Sequence, residues 1–337
     1  MTATRPSHPA ESQVLAVLTG TPLEQVAEQI RMDPTNLADA VEAYRGAGRA
    51  ALDAQTRSCG WYQVRIQFTD WDHAEEVAAA HLGPHLQQAQ EAGTLTGWWF
   101  LRKHPCWRLR CCPGPDVTRA HMTAAVADAL DGLVAAGTVE RWWESLYEPE
   151  ALAFGGSQGT DIAHDLFHAD SRGCLTYLRR NASSRSPGMA VGRRELSVLL
   201  CATLFRGARQ DAHEQGDVWH RVVQMRPLFP TPPANRLQGM IPQLQRLLDV
   251  DTSPTSTLFG ASGPLRFAAP WSAAFTAAGT HLADAARDGT LERGLREVLA
   301  KHVIFHWNRL GIPTSAQAIL ARAARETLMN PRSGAAS

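Results

Sequence analysis

Bulky or β-branched residues alternate with polar ones along Trp61-Tyr62-Gln63-Val64-Arg65-Ile66-Gln67-Phe68. A period of two places every second side chain on the same face of a strand, so this stretch predicts a half-buried β-strand. Residues 72–91 are rich in Ala, Glu, Gln and Leu and predict a helix, with Pro84 as a point of division. The stretch therefore opens a strand-helix unit.

The same order is repeated immediately afterwards. Lys103-His104-Pro105 is a short polar break between two predicted strands, which indicates a hairpin, and Asp116 and Thr118 are candidate caps for the helix that follows. The strand, helix, strand, strand, helix, strand order predicts an α+β fold with a ferredoxin-like split βαββαβ unit. The elements after the first helix are strands at 95–102 and 106–111, a helix at 116–136 and a strand at 138–147.

The pattern changes after Gly156, where helical segments replace the alternation. One helix is predicted to end near Phe167, before another run to about Arg180, and a Ser-, Gly- and Arg-rich linker follows at 181–192. Composition and periodicity together predict five segments along the chain. These are a disordered tail at 1–10, a helical N-terminal segment at 11–58, the ferredoxin-like domain at 59–156, a helical domain completing the active site at 157–327 and a disordered tail at 328–337.

Composition predicts a soluble protein with ordinary hydrophobic cores. The chain has 337 residues, of which 44% are hydrophobic, and its 33 basic and 33 acidic residues cancel. A zero net charge gives no general electrostatic attraction for nucleic acid. Neither a signal segment nor a membrane-spanning run is evident, so a cytoplasmic location and no membrane partner are expected. The six cysteines lack CxxC pairs, and Cys111-Cys112 is interpreted as two small buried residues, so neither a metal nor another cofactor is predicted.

The N-terminal segment contains three predicted helices in about forty residues, an arrangement that resembles a helix-turn-helix unit. Its third helix carries Asp39 and Glu42, where a recognition helix would present basic or amide side chains. The segment is therefore expected to serve docking or structure, with no direct contact to DNA.

Arg108 and Arg110 lie two residues apart on a predicted strand, so their side chains share a face. Two neighbouring guanidiniums repel each other and favour an anion between or above them, and their planar forks suit a carboxylate or phosphate. A solvated sheet face, or ion pairs with Glu148 and Glu150, would explain the same residues. Arg102 ends the preceding strand and could join them, and Glu150 could supply a base.

A second polar group interrupts an apolar helix near the C-terminus. His306, Asn308 and Arg309 could form a catalytic surface, or they could be the hydrogen-bonded interior of a helical domain. The residues alone thus indicate a two-domain protein with an anion site.

Short motifs in a fixed order give the chain a resemblance to a known family over residues 61–327. It resembles the thiopeptide-type bacteriocin biosynthesis proteins, the stand-alone relatives of the C-terminal elimination domain of class I lantibiotic dehydratases, and also thiopeptide pyridine synthases. The motifs are Trp61-Tyr62-Gln63-Val64, Trp99-Phe100-Leu101-Arg102, Trp107-Arg108-Leu109-Arg110, Tyr147-Glu148-Pro149-Glu150 with Phe154-Gly155-Gly156, Phe167-His168-Ala169-Asp170-Ser171 and His306-Trp307-Asn308-Arg309-Leu310.

The resemblance implies tailoring of a ribosomally made precursor peptide that carries a leader. In one reaction, a glutamyl-tRNA-dependent dehydratase partner esterifies Ser or Thr, and the elimination domain expels glutamate to leave dehydroalanine or dehydrobutyrine. In the other, two dehydroalanines undergo a formal [4+2] cycloaddition, and a pyridine macrocycle forms with loss of the leader. Neither reaction needs a metal.

The resemblance also implies residue roles. Arg108 and Arg110 would hold the glutamyl carboxylates and stabilise enolate charge, and Glu150 or His306 would act as acid or base. Substrate binding would fall to Arg102, Asn308, Arg309 and His168.

Two positions depart from eliminating members of the family. Many of these carry Arg where this chain has Ala153 and His where it has Ile304. Elimination is still the favoured reaction because Arg108, Arg110 and Glu150 remain. Cycloaddition stays open, as does a non-catalytic scaffold that binds the leader and recruits the glutamylating enzyme. The sequence leaves the oligomeric state open, a homodimer included.

Overall fold

The computed structural model describes residues 9–58, 60–183, 191–228 and 234–329. The chain divides into two compact units, Met1–Gly60 and Trp61–Ser337. The predicted subdivision of the larger unit into domains at 59–156 and 157–327 stays a prediction. Within the described ranges, no helix is long and apolar enough to cross a membrane.

The smaller unit contains helices α1 (Pro9–Leu18), α2 (Leu23–Ile30) and α3 (Pro34–Ser58). Their apolar faces meet in a core of their own, formed by Val14, Val26, Ala27, Leu37 and Val41. The three predicted helices are thus confirmed, and α3 continues to Ser58, because no proline interrupts the sequence between Thr35 and Ser58.

The larger unit begins with the alternating stretch and continues with helices. Its strands are β1 (Tyr62–Phe68), β2 (Leu95–Lys103), β3 (Cys106–Pro113) and β4 (Val139–Ser145). Its helices are α4 (Ala74–Val77), α5 (Gly83–Glu91), α6 (Arg119–Ala135), α7 (Ala151–Phe154), α8 (Gly156–Ser183), α9 (Arg193–Gly207), α10 (Ala212–Met225), α11 (Ala234–Leu248), α12 (Ala269–Arg287), α13 (Leu295–Arg309) and α14 (Thr314–Met329).

The four strands form one antiparallel sheet in the order β2-β3-β1-β4. The predicted hairpin is confirmed, with Lys103 opposite Cys106. One face of the sheet carries Val64, Ile66, Trp107 and Leu109 into the main core, where α5 and α6 supply Leu86 and Leu130. The opposite face is left for the polar positions of β1 and β3.

Local features of two helices differ from the simple prediction. A π-helical turn, Ala78–Leu82, joins α4 to α5 and places Pro84 in the first turn of α5. Thr118 is the cap of α6, since its hydroxyl accepts a hydrogen bond from the His121 N–H, and Asp116 is not.

The predicted helix end near Phe167 is wrong, because α8 runs without a break through this motif. The polar residues that suggested an end make tertiary hydrogen bonds instead of capping the helix. The Phe100 N–H donates to the Ser171 hydroxyl at 3.1 Å, and the Trp98 N–H donates to His168 Nδ1 at 3.1 Å. Helix α8 therefore closes the outer edge of strand β2.

Some predictions fall wholly or partly outside the described residues. Of the predicted tails, residues 1–8 and 330–337 lie outside, whereas α1 begins at Pro9 and α14 continues to Met329. Residues 184–190 of the predicted linker also lie outside, as does Cys59.

Candidate active site

A cavity of about 200 Å³ lies on the polar face of the sheet, beneath α8. Its walls combine charged side chains with an apolar group centred on Trp99, Leu101, Phe154 and Phe167. The remaining lining residues are Gln63, Arg65, Arg108, Arg110, Leu146, Tyr147, Glu148, Glu150, Thr160, Ala163, His164 and Phe305.

Strand register brings a third arginine to the predicted pair. Arg65 on β1 is directly opposite Arg108 on β3, and Gln63 is opposite Arg110. All four side chains therefore point to the same face of the sheet. Arg65 was not predicted as a site residue, although its polar position in the alternation of β1 was the available signal.

Arg110 is the most buried cation of the cavity, with 5% of its surface exposed. Its guanidinium stacks over the Trp99 ring at 4.0 Å, and its Nε and Nη1 atoms have no hydrogen-bond partner within the described residues. Burial lowers the pKa of Arg110 to about 9, and the neighbouring charge of Arg108 acts in the same direction. Arg110 stays cationic at neutral pH, so unsatisfied donors and positive charge meet in one enclosed place.

The proposed explanation by ion pairs does not describe this geometry. Neither Arg108 nor Arg110 forms an ion pair with Glu148 or Glu150 among the residues described. The carboxylates line the same cavity, and Glu150 is exposed to solvent. The arrangement can accept a small anion against the arginines.

Gln63 positions the segment that carries Tyr147 and Glu150. Its side-chain amide donates to Ser145 Oγ at 2.7 Å and to the Leu146 carbonyl oxygen at 2.8 Å, so the chain turns into the cavity directly after β4. Glu150 then starts the short helix α7, and its carbonyl oxygen accepts from the Ala153 N–H at 2.9 Å.

Two glycines make the next turn into α8. Gly155 and Gly156 have φ angles of 86° and 89°, a region that side chains other than glycine rarely adopt. A Cβ atom on Gly155 would lie 2.6 Å from the Leu291 side chain. The Phe154-Gly155-Gly156 motif therefore places α8 across the cavity.

The cavity also contains a hydrogen-bonded pair that was not predicted from the sequence. The Tyr147 hydroxyl and His164 Nε2 lie 2.7 Å apart. Burial, aided by the charge of Arg110, lowers the pKa of His164 to about 4, and burial raises the pKa of Tyr147 to about 12. Both groups are neutral near pH 7. His164 precedes the lining residue Phe167 by nearly one turn, which was the available signal.

His306 and Arg309 do not line the cavity but lie behind it. His306 Nδ1 is 2.8 Å from Asp170 Oδ1, the Arg309 guanidinium bonds to Asp170 Oδ2, and all three residues are buried. Burial acts to raise the pKa of Asp170, but the charges of His306 and Arg309 outweigh it and the pKa lies below its usual value. Arg309 also covers the Phe167 ring at 4.8 Å. This network supports the cavity wall.

The other predicted substrate-binding residues also lie outside the cavity lining. Arg102 pairs with Glu75, because Leu101 is the residue opposite Arg108 and Arg102 points to the other face. The remaining two make protein contacts: Asn308 Oδ1 accepts from Gln317 Nε2 at 3.0 Å, and His168 Nε2 lies 3.1 Å from Gln90 Nε2.

His302 lies against the same wall and predicts a stabilising substitution. It is 2% exposed, packs on Phe154 with ring centroids 5.0 Å apart, and neither ring nitrogen has a partner among the described residues. Replacing a buried, unpartnered polar group by an apolar one removes a cost of about 1–3 kcal/mol. We therefore expect His302→Leu to raise the free energy of unfolding at pH 7.

The increase in the free energy of unfolding caused by His302→Leu should be larger at acidic pH. Burial lowers the pKa of His302 to about 3, so between this value and the unfolded value near 6.5 only the unfolded state binds the proton. Native stability is then lost as pH falls, and His302→Leu removes the loss, adding about 2 kcal/mol to its advantage at pH 5. Urea titrations at pH 7 and pH 5 measure this, with the exposed His281→Leu as control. An equal gain at both pH values would contradict the assignment.

Comparison with known proteins identifies the class. Residues 61–328 match the family "Lantibiotic biosynthesis dehydratase C-term". The chain belongs to this family. No curated protein matches it.

Three solved structures share the fold. The tRNA-dependent lantibiotic dehydratase MibB from Microbispora sp. 107891 has a TM-score of 0.59 at 17% identity, over 82% of this chain and 29% of MibB. The pyridine synthase TbtD from thiomuracin biosynthesis has a TM-score of 0.56 at 14% identity, over 81% of this chain and 98% of TbtD. TsrL has a TM-score of 0.50 at 15% identity, over 79% of this chain and 95% of TsrL. The chain thus spans less than a third of MibB and nearly the whole of the other two.

Proposed function

We propose that this chain removes glutamate from glutamylated Ser or Thr side chains of a ribosomally synthesised precursor peptide, leaving dehydroalanine or dehydrobutyrine. The observation that carries this proposal is the buried Arg110 guanidinium, whose Nε and Nη1 atoms have no partner among the described residues and which lines a cavity shared with Arg65 and Arg108. A buried cation with free donors favours an anion, and its fork suits a carboxylate.

The charges of the cavity complement a glutamyl ester. Such an ester, formed from glutamyl-tRNA, has one free carboxylate and one ammonium group. Arg108 and Arg110 would bind the carboxylate, and Glu148 or Glu150, which line the same cavity, would lie near the ammonium group. A cavity of about 200 Å³ suits a group the size of one amino acid.

Elimination needs a base at the peptide and positive charge at the leaving group. Glu150 is the proposed base, which would take the Cα proton and leave the electron pair delocalised into the adjacent peptide carbonyl as an enolate. This pair then forms the Cα–Cβ double bond as the Cβ–O bond breaks, and the electrons of the broken bond leave on the glutamate carboxylate. The arginines would stabilise this developing charge, and also that of the enolate, without reorganisation.

The mouth of the cavity suits a peptide. Leu146 lines the cavity and is 81% exposed, and Leu152, two residues after Glu150, is 78% exposed. A precursor peptide, delivered by a glutamyl-tRNA-dependent partner enzyme, would cover them.

We also propose that the sheet is a ferredoxin-like split unit, which the order β2-β3-β1-β4 supports.

A second candidate is the [4+2] cycloaddition of two dehydroalanines. The shared fold covers 98% of the chain of the pyridine synthase TbtD but only 29% of the chain of MibB. Ala153 and Ile304 stand where many eliminating members of the family carry Arg and His, which weakens elimination and leaves this reaction open.

Mass spectrometry of two reactions separates the candidates. The purified chain is incubated with a leader-bearing peptide glutamylated at Ser and, separately, with one that contains two dehydroalanines. Loss of the whole glutamate moiety together with the serine oxygen is expected from the first, whereas simple ester hydrolysis would restore serine. A pyridine macrocycle and free leader from the second would replace elimination by cycloaddition. If neither peptide reacts but the leader still binds, the chain would be a non-catalytic scaffold.

A further inference from the structure

We propose that Tyr147 is a switchable hydrogen-bond donor to a carboxylate in this cavity, and that its hydroxyl turns toward the ligand when His164 takes up a proton. The inference rests on the carboxylate binding in the proposed function. It adds two residues to the site, neither of which belongs to the arginine and glutamate set described above.

The Tyr147 hydroxyl has a single hydrogen to donate. The Tyr147 oxygen is 2.7 Å from His164 Nε2, and both side chains line the cavity. A neutral imidazole that accepts at Nε2 uses the Tyr147 hydrogen, so the hydroxyl offers the cavity only its lone pairs. An imidazolium donates at both nitrogens, so Nε2–H would point to the Tyr147 oxygen and the hydroxyl hydrogen would be free.

The surroundings restrict which hydrogen bonds are available. Trp61 and Trp99 pack on the imidazole with centroids 4.8 Å and 6.0 Å away. The Tyr147 ring covers the Arg110 guanidinium at 4.9 Å. The hydroxyl is therefore confined beside the most buried cation of the site, where an anion bound to Arg110 would lie.

An anion supplies the driving force for the switch. In the free protein, burial and then the charge of Arg110 keep the pKa of His164 near 4. The other charged groups of the cavity are Arg65 and Arg108 on the sheet and Glu148 and Glu150 after β4. A carboxylate on Arg110 offsets the positive charge and raises the pKa of His164 toward its ordinary value of about 6.5.

The switch matches the charge change of the proposed reaction. The glutamyl ester carries one carboxylate, and elimination releases a second one. A protonated His164 adds one positive charge, and the freed Tyr147 hydroxyl adds one donor, at the time when the second carboxylate forms. No net covalent change occurs at either residue.

Sulfate is the probe, because it keeps two negative charges from pH 8 to pH 5. Its affinity for the full chain is measured by calorimetry across this range. We expect sulfate affinity to increase about tenfold as pH falls, the change that follows when sulfate binding is coupled to the uptake of one proton over about one pH unit. His164→Phe should bind sulfate with a flat pH profile. Tyr147→Phe, which lacks the hydroxyl, should match the parent at pH 8 and bind about fivefold more weakly at pH 5, the loss of one hydrogen bond.

The outcomes separate the switch from the proposed function. The switch is overturned if the sulfate affinity of His164→Phe depends on pH as it does in the parent chain. It is also overturned if Tyr147→Phe binds sulfate at pH 5 as tightly as the parent chain. Nuclear magnetic resonance of the His164 ring gives a second readout, since its titration should move to higher pH with sulfate, and an unmoved titration also overturns it. A parent chain that shows the slope but does not release glutamate from peptide would refute elimination alone. Absence of sulfate binding would refute the carboxylate site together with the switch.

Discussion

The Arg110→Met variant is expected to be more stable than the parent chain and to lose the proposed glutamate elimination. Arg110 is a 5% exposed cation with two unpartnered nitrogens among the described residues, so folding buries donors without replacing their water. Methionine has a similar length and no polar hydrogen, and it removes a desolvation cost of about 1–3 kcal/mol. In the proposed elimination, the same change removes donors that would stabilise the leaving carboxylate, a loss of about 10²–10³ in kcat.

Two measurements on one preparation test this prediction. Urea unfolding gives the free energy of unfolding, and mass spectrometry of a glutamylated peptide gives the rate of glutamate loss. Arg108→Met is the matched control, because Arg108 is only half-buried and should lose activity with little gain in stability. An Arg110→Met protein that keeps the parent rate would remove Arg110 from the mechanism.

The Asp170→Asn variant is expected to lose about 3–5 kcal/mol of stability, the cost of removing one partner from a buried ion pair. Asp170 is 1% exposed and accepts hydrogen bonds from Arg309 and from Trp271 Nε1 at 2.9 Å, and His306 lies at 2.8 Å. The neutral amide would leave Arg309 buried without its counter-charge.

The stability contribution of Asp170 should decrease as pH falls. The pKa of Asp170 is depressed in the folded state, so its contribution is present above the unfolded value of about 3.9 and is lost as pH falls toward the folded value. Asp170→Asn should flatten this acid limb. The control is Asp284→Asn, which breaks half-exposed pairs with Arg209 and Arg287 and should cost less than about 1 kcal/mol. Equal losses for the two variants would contradict a special role of the buried carboxylate.

The sheet and its arginines were largely predictable because they depend on local rules. Alternation in β1 and the two-residue spacing of Arg108 and Arg110 fix which side chains share a face. Thr118 was predictable as a cap for the same local reason. The resemblance identified the family, which the match over residues 61–328 confirms.

The long helix α8 was not predictable from local propensity. Asp170 and Ser171 are typical of helix ends, yet both lie within α8, because residues distant in sequence supply their hydrogen-bond partners. Arg309 and His306 were predicted as polar interruptions of a helix, and both contact a buried carboxylate on another helix, Asp170. Arg102 was placed with the other arginines before the hairpin register was known.

The sequence by itself determined the order of the four strands and the helices between them, the pairing of Arg108 with Arg110 on one face, and the family. Periodicity and motif order are properties of consecutive residues, so they need no knowledge of what packs against them. Only the tertiary structure decided that Arg65 joins Arg108 and Arg110, and that His164 forms a hydrogen bond with Tyr147. It also decided that His306 and Arg309 bind Asp170 behind the cavity. These contacts depend on strand register and on the path of α8, which hydrophobic burial over the whole unit sets.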